Sequence, residues 1–161
     1  MDHTLMAKPH AYSDEEWALR VQLAHCYHLV DFFGWTETIF NHISARLPGP
    51  AHHYLVNPFG LNYTEVTPEN LLKVDLHGKK LEDSPYDGNP AGFALHSAVH
   101  GARSDIQCLI HTHTTPISAI VMKKAGFAHN DFYGAQLYGR IGYHTRSEER
   151  RVGKECPRCV D

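Results

Sequence analysis

The sequence predicts a mixed α/β domain in which strands and helices interleave without the regular alternation of a doubly wound sheet. Three observations predict it. A capped segment with apolar residues at three- and four-residue steps reads as a helix, two short runs that follow read as a hairpin, and a later apolar run ends in two histidines one residue apart. With 161 residues, 42% apolar and 20% charged, the chain is long enough for one domain with a single substantial core.

The elements follow in order. Residues 1–12 are polar and are expected to form a flexible N-terminus. Ser13, with Glu16 three residues later, has the capping-box pattern; Leu19, Leu23, Cys26, Val30 and Phe33 then mark a helix over about 14–33, stopped by Gly34. His42–Leu47 alternates, with Ile43, Ala45 and Leu47 on one face, and predicts a half-buried strand. Residues 54–57 supply its hairpin partner across the loop 48–53, and Asn57-Pro58-Phe59-Gly60 is a turn whose glycine allows close backbone approach. Thr67 caps a brief helical turn, and 72–76 is a further strand closed by Gly78. After a polar loop, Asn89-Pro90 forms an N-cap and first helical position for a helix to about Arg103. The apolar run 108–113 predicts a buried strand, and Thr115-Pro116 opens a helix to Lys124, stopped by Gly126.

A formal net charge of −3 leaves no electrostatic footprint for nucleic acid or an anionic membrane. The chain does not open on a basic segment followed by an apolar core, and no apolar run approaches the roughly 18 residues that span a bilayer. A cytoplasmic protein is expected. Cys26 and Cys108 lie in apolar segments and read as buried thiols, not as a disulfide framework.

Histidine is the unusual component, at 14 residues. His3, His10, His52, His53 and His77 sit in polar stretches and read as solvated. His111 and His113 differ: two residues apart on a strand, their side chains share a face and converge. Imidazole is a common ligand for zinc and other first-row metals, yet a complete site needs three or more ligands, and some pairs arise by chance. His96 and His100, four apart on the predicted helix, share a face as a second donor pair, as a proton carrier, or as residues packed on the sheet with ordinary hydrogen bonds.

From Arg146 the composition changes abruptly, and the eleven residues to Cys156 resemble the in-frame translation of a sequencing adapter. Residues 146–161 are therefore expected to be a non-native tail, its Cys156-x-x-Cys159 receives no metal or redox role, and the natural domain, over 13–145, is expected to be incomplete.

Five segments line up in order: Asn41-His-Ile-Ser-Ala-Arg46, Asn57-Pro-Phe-Gly-Leu61, Lys73-Val-Asp-Leu-His-Gly78, Asn89-Pro-Ala-Gly-Phe93 with His96, and Cys108-Leu-Ile-His-Thr-His113. Together they resemble the class II aldolase/adducin domain over about Ser13 to His144. That resemblance implies a C-terminally truncated three-layer α/β/α sandwich around a mostly antiparallel sheet. It also implies a homo-oligomer, commonly a tetramer, and a divalent metal, zinc foremost with manganese or iron as alternatives. His111 and His113 match the first two metal ligands, while the third histidine falls beyond residue 145. The position of the catalytic glutamate matches Gly92, which cannot transfer a proton, so His96 becomes the candidate for that role. His42 and Gly60 match substrate-binding positions, as does Gly92 within its loop. Pro90 and Ala91 replace hydroxyl residues that help hold phosphate, so no phosphate requirement is expected.

Two functions follow from the resemblance. One is a metal-dependent lyase-like enzyme that cleaves carbon–carbon bonds or decarboxylates a small oxygenated metabolite. The other is a non-catalytic adducin-like domain for assembly or protein binding, of the cytoskeletal type. Tyr133, Tyr138 and Tyr143 are candidates to reach a neighbouring subunit's site or simply to pack, and Lys123-Lys124 reads as a solvated helix end.

Overall fold

Ser13 accepts a hydrogen bond from Glu16 N–H (3.1 Å) and so starts helix α1, Asp14–Phe32, whose first turn carries Asp14, Glu15 and Glu16 at the positive end of the dipole. Gly34 ends it. With φ +67° it allows the Gly34 N–H to reach the Asp31 carbonyl and the Trp35 N–H to reach the Val30 carbonyl, the paired bonds of a Schellman motif. The computed structural model describes Pro9 and residues 11–143. The expectations for most of the N-terminus, including His3 and His10, and for the tail 146–161 with Cys156 and Cys159 lie outside the described residues.

The chain divides into two compact units, residues 1–113 and 114–161. The first holds strands β1 (His42–Arg46), β2 (Tyr54–Val56), β3 (Leu72–Val74) and β4 (Cys108–His111), with helix α2 (Pro90–Ala102) between the last two. A short 3-10 turn, Tyr63–Glu65, which the sequence did not signal, follows β2. The sheet order is β3-β2-β1-β4, antiparallel throughout.

Strand alternation assigns the two faces. Ile43, Ala45 and Leu55 pack with Leu23, Tyr27 and Val30 of α1, and Ala45 stands opposite Leu55 in the register. Tyr54, Val56, Leu72 and Val74 face the other way and pack against Phe93 of α2. The result is the expected α/β/α sandwich. Tyr27 ties α1 to β1: its phenol accepts from the Ile43 N–H (2.6 Å) and lies 2.8 Å from Asn57 Oδ1. At the other end, fully buried Arg20 binds Glu16 (2.9 Å), Glu82 (2.6 Å) and the Leu71 carbonyl (2.9 Å), while Glu16 also meets Lys73 of β3 (2.7 Å).

Four expectations for this unit change. β1 is buried at all five residues, not half-buried, because α2 covers its polar face as α1 covers its apolar one. β4 is not buried, because it is the outermost strand in the sheet order: Ile110 is 60% exposed. Cys108 on β4 is accordingly exposed, and Cys26 on α1 is half-buried, so neither is sealed in the core. β3 stops at Val74, two residues early, where Asp75 turns the chain by accepting from the His77 and Lys79 N–H groups.

In the second unit, helix α3 (Thr115–Val121) has Thr114 in the cap position and ends at Val121, before the expected Lys124. A short helix α4, Phe132–Gln136, starts where Asp131 accepts from the Gly134 N–H (2.6 Å). Gly134 is the one buried residue among those described there, and Tyr133, Tyr138 and Tyr143 are exposed.

Candidate functional site

The helix that covers the sheet turns an unusual stripe inward. Asn89 accepts from the Ala91 N–H (3.1 Å) and Pro90 occupies the first turn, which fixes the start of α2 and hence its phase. Gly92, His96 and His100 then fall at four-residue intervals and are the buried residues of this helix. Opposite them stand the alternate residues of β1: His42, Ser44 and Arg46.

These polar groups satisfy one another. His42 Nδ1 lies 2.9 Å from His96 Nε2, and His96 Nδ1 lies 2.5 Å from Ser44 Oγ, which is also 2.9 Å from His100 Nε2. Arg46 closes the inner end by donating to the carbonyls of His100 (2.5 Å), Arg103 (3.0 Å) and Ile106 (3.1 Å). Burial opposes charge on each ring: it pushes His96 down to about 3, with His42 next as a cause, and His42 and His100 down to about 4. At neutral pH all three are uncharged.

The outer end of the row meets β4. His42 pairs with His111 in the strand register, and the rings stack with centroids 4.7 Å apart. β4 itself ends at His111, yet the chain remains extended enough for His113 to fold back on the same side, and the Nε2 atoms of His111 and His113 stand 2.5 Å apart. The pair expected to converge does so. A tetrahedral zinc ion with two nitrogens at about 2.0–2.1 Å would hold them about 3.3 Å apart, so the rings need to part by less than 1 Å to admit one. The donor type fits a divalent ion, and the count falls short: among the described residues no three His, Cys, Asp or Glu side chains gather as a metal site.

Gly92 is the other constraint. A Cβ there would lie 2.9 Å from His42 Nε2 and Cδ2, so the imidazole occupies the space that a side chain at residue 92 would need. His96 is 2% exposed and has both ring nitrogens engaged, which places it behind His42 instead of at the surface. Gly60, in the turn after β2 with φ +93°, has no hydrogen bond to this row among the described residues, and a Cβ on it would meet nothing within 4 Å. Sequence reasoning missed Ser44 and Arg46. The available signal was the match between polar residues two apart on β1 and Gly92, His96 and His100 four apart on α2.

An α/β/α domain that presents a histidine row to a converging His-x-His pair is the class of protein that the fold and site define. The chain belongs to the family described as the class II aldolase and adducin N-terminal domain, whose model matches residues 21–160. A Pseudomonas aeruginosa protein whose name places it with the class 2 aldolases is 46% identical over 144 residues, covering 89% of this chain and 55% of that protein. Rat alpha-adducin is 40% identical over 136 residues, covering 83% of this chain and 18% of that protein. Among solved structures, an aldolase II superfamily protein from Pseudomonas syringae superposes with a TM-score of 0.80 at 40% identity, covering 88% of this chain and 59% of that one. An L-fuculose 1-phosphate aldolase from Glaciozyma antarctica superposes at 0.72 with 29% identity, covering 82% and 55%. The chain spans about half the length of the bacterial relatives that it matches. No helix among the described residues is long and apolar enough to cross a membrane.

Proposed function

We propose that this domain serves a divalent-metal-dependent, lyase-type reaction, carbon–carbon cleavage or decarboxylation, on a small oxygenated metabolite within a cytoplasmic homo-oligomer. The observation that carries the reading is the approach of the His111 and His113 Nε2 atoms to 2.5 Å on the face that also bears His42. Zinc is the first choice for two imidazoles, with manganese and iron as alternatives. When bound, such an ion supplies Lewis-acid polarisation of a carbonyl oxygen. The protein's own residues do the rest: His111 and His113 hold, His42 contacts the ligand, and His96 orients His42 from behind.

A second reading is favoured by one observation. Gly92, at the position where the family resemblance puts the proton-transferring glutamate, carries no side chain, and His42 fills its space. That suits a non-catalytic adducin-like domain used for assembly or protein binding.

Zinc titration by calorimetry separates the two. The metal reading expects saturable binding of one ion per chain, weak because the two donors among the described residues fill only half of a tetrahedral zinc shell, and lost in both His111→Ala and His113→Ala. Binding that does not saturate, or that survives both substitutions, defeats it.

A further inference from the structure

The three hydrogen bonds of the buried row cannot be reversed one at a time. Ser44 Oγ has a single hydrogen and lies between His100 Nε2 (2.9 Å) and His96 Nδ1 (2.5 Å), so it donates to one ring and accepts from the other. Each neutral imidazole likewise has one N–H and one bare nitrogen, and His96 Nε2 meets His42 Nδ1 at 2.9 Å. The direction taken at His100 is therefore the direction taken at His42.

Both ends choose the same direction. At the inner end His100 is fully buried, Ser44 occupies its Nε2, and the partner left for Nδ1 is the Ile106 carbonyl. That carbonyl accepts from Arg46 Nε (3.1 Å) with one lone pair and keeps a second for the ring. The contact falls short of full hydrogen-bond geometry, but a carbonyl can only accept, and a bare nitrogen there would set lone pair against lone pair. His100 thus carries its proton on Nδ1. Ser44 O–H then donates to His100 Nε2, His96 Nδ1–H donates to Ser44 Oγ, and His42 Nδ1–H donates to His96 Nε2. At the outer end, the nitrogen left bare is His42 Nε2, 2.9 Å from where a Cβ on Gly92 would stand. Gly92 is the third residue of α2, in the turn whose N–H groups lack intrahelical acceptors and carry the positive end of the dipole. A lone pair is favoured there over an N–H.

We propose that Ser44, His96 and His100 form a directional relay that locks His42 as its Nδ1–H tautomer, so that a bare Nε2 stands beside the paired histidines as a hydrogen-bond acceptor for a ligand hydroxyl. His42 is the least buried of the three rings, 7% exposed against 2% for His96 and 0% for His100, and it stacks on His111. A bare nitrogen turns away a carboxylate or carbonyl oxygen, which has no hydrogen to give, and the positive helix end beside it disfavours an ammonium group. Only this choice of ligand rests on the proposed function; the tautomer does not. Ser44, His96 and His100 are positioning residues, and His42 is the residue that touches the ligand.

The test is two-bond 1H–15N correlation NMR on the full chain labelled at histidine, at neutral pH and without metal. Expected are Nδ1-protonated His42, His96 and His100, each as a single tautomer with its Nε2 at the downfield 15N position of a bare ring nitrogen. An Nε2-protonated His42 or His100, or a His42 that averages the two forms, overturns the proposal. Ser44→Ala removes the acceptor of His96 Nδ1–H, so His96 and His42 should pass into mixed tautomers; an unchanged His42 in a folded variant overturns the relay. If that variant does not fold, the parent spectrum decides. Hydroxyacetone serves as the hydroxyl probe and methoxyacetone as its control: an upfield shift of His42 15Nε2 with the first alone is expected, and no shift, or an equal shift with both, overturns the ligand assignment. Zinc added separately reports on His111 and His113, so a failure of the metal reading leaves the tautomer result standing.

Discussion

Two glycines on one helix offer opposite outcomes for the same substitution. In Gly92→Ala the new Cβ would stand 2.9 Å from two atoms of the His42 ring, closer than carbon and nitrogen pack without something moving. The ring cannot swing aside freely, because His96 holds its Nδ1 and His111 stacks on its face. Overpacking of this kind costs about 1–3 kcal/mol. Displacing His42 also forfeits the His96 hydrogen bond, worth about 1 kcal/mol. Against this, alanine gains up to about 1 kcal/mol over glycine in a helix, less in the first turn. The net expectation is a loss of about 1–3 kcal/mol. In Gly101→Ala the Cβ meets only Leu76 Cδ1 at 3.9 Å, ordinary contact, so the helix gain remains and the variant should be more stable by about 0.5–1 kcal/mol. Thermal unfolding by circular dichroism should separate the two by about 3–16 °C, at about 2–4 °C per kcal/mol for a chain of this size. On a His42→Ala background the penalty at residue 92 should vanish, since the ring is gone. A Gly92→Ala protein as stable as Gly101→Ala would refute the packing of His42 over Gly92.

Other outcomes follow from the same contacts. Tyr27→Phe strips the buried Ile43 N–H of its acceptor and should cost about 1–3 kcal/mol in chemical denaturation, with no change in zinc binding. Stability should fall on acidification. The folded-state pKa values of His42, His96 and His100, about 4, 3 and 4, lie below the unfolded value of 6.5, so the unfolded chain binds more protons in that interval. Their contribution is complete above pH 6.5 and declines as pH falls towards 4, which denaturant midpoints at pH 7, 6 and 5 would show; a constant midpoint would contradict it. His111→Ala and His113→Ala should each abolish zinc binding with little loss of stability, because the loss of an imidazole at this exposed strand end opens no enclosed cavity.

Much of the frame was legible in the chain. The Ser13 cap, the Gly34 stop and the Asn89-Pro90 start are local signals, and local geometry honours them. The two-residue spacing of His111 and His113 implied convergence, and their Nε2 atoms meet. Tertiary cover was not legible. Polar residues alternating on β1 look like a solvent-facing edge until α2 lies on them, and nothing in residues 42–46 alone announces that a helix fifty residues later brings its own polar stripe. The apolar run of β4 reads the same for a central strand as for an outermost one, so Cys108 and Ile110 were expected inside and are exposed. His96 looked like the substitute acid/base from its distance to Gly92 in sequence, whereas His42, from another strand, fills that space.

X-ray absorption at the zinc edge, on the zinc-loaded protein and on His113→Ala, bears most directly on whether His111 and His113 act as one donor pair. Two imidazole nitrogens at about 2.0–2.1 Å are expected in the parent protein, with the loss of one or both in the variant. A shell made only of water oxygens, or one that does not change when His113 is removed, would contradict it.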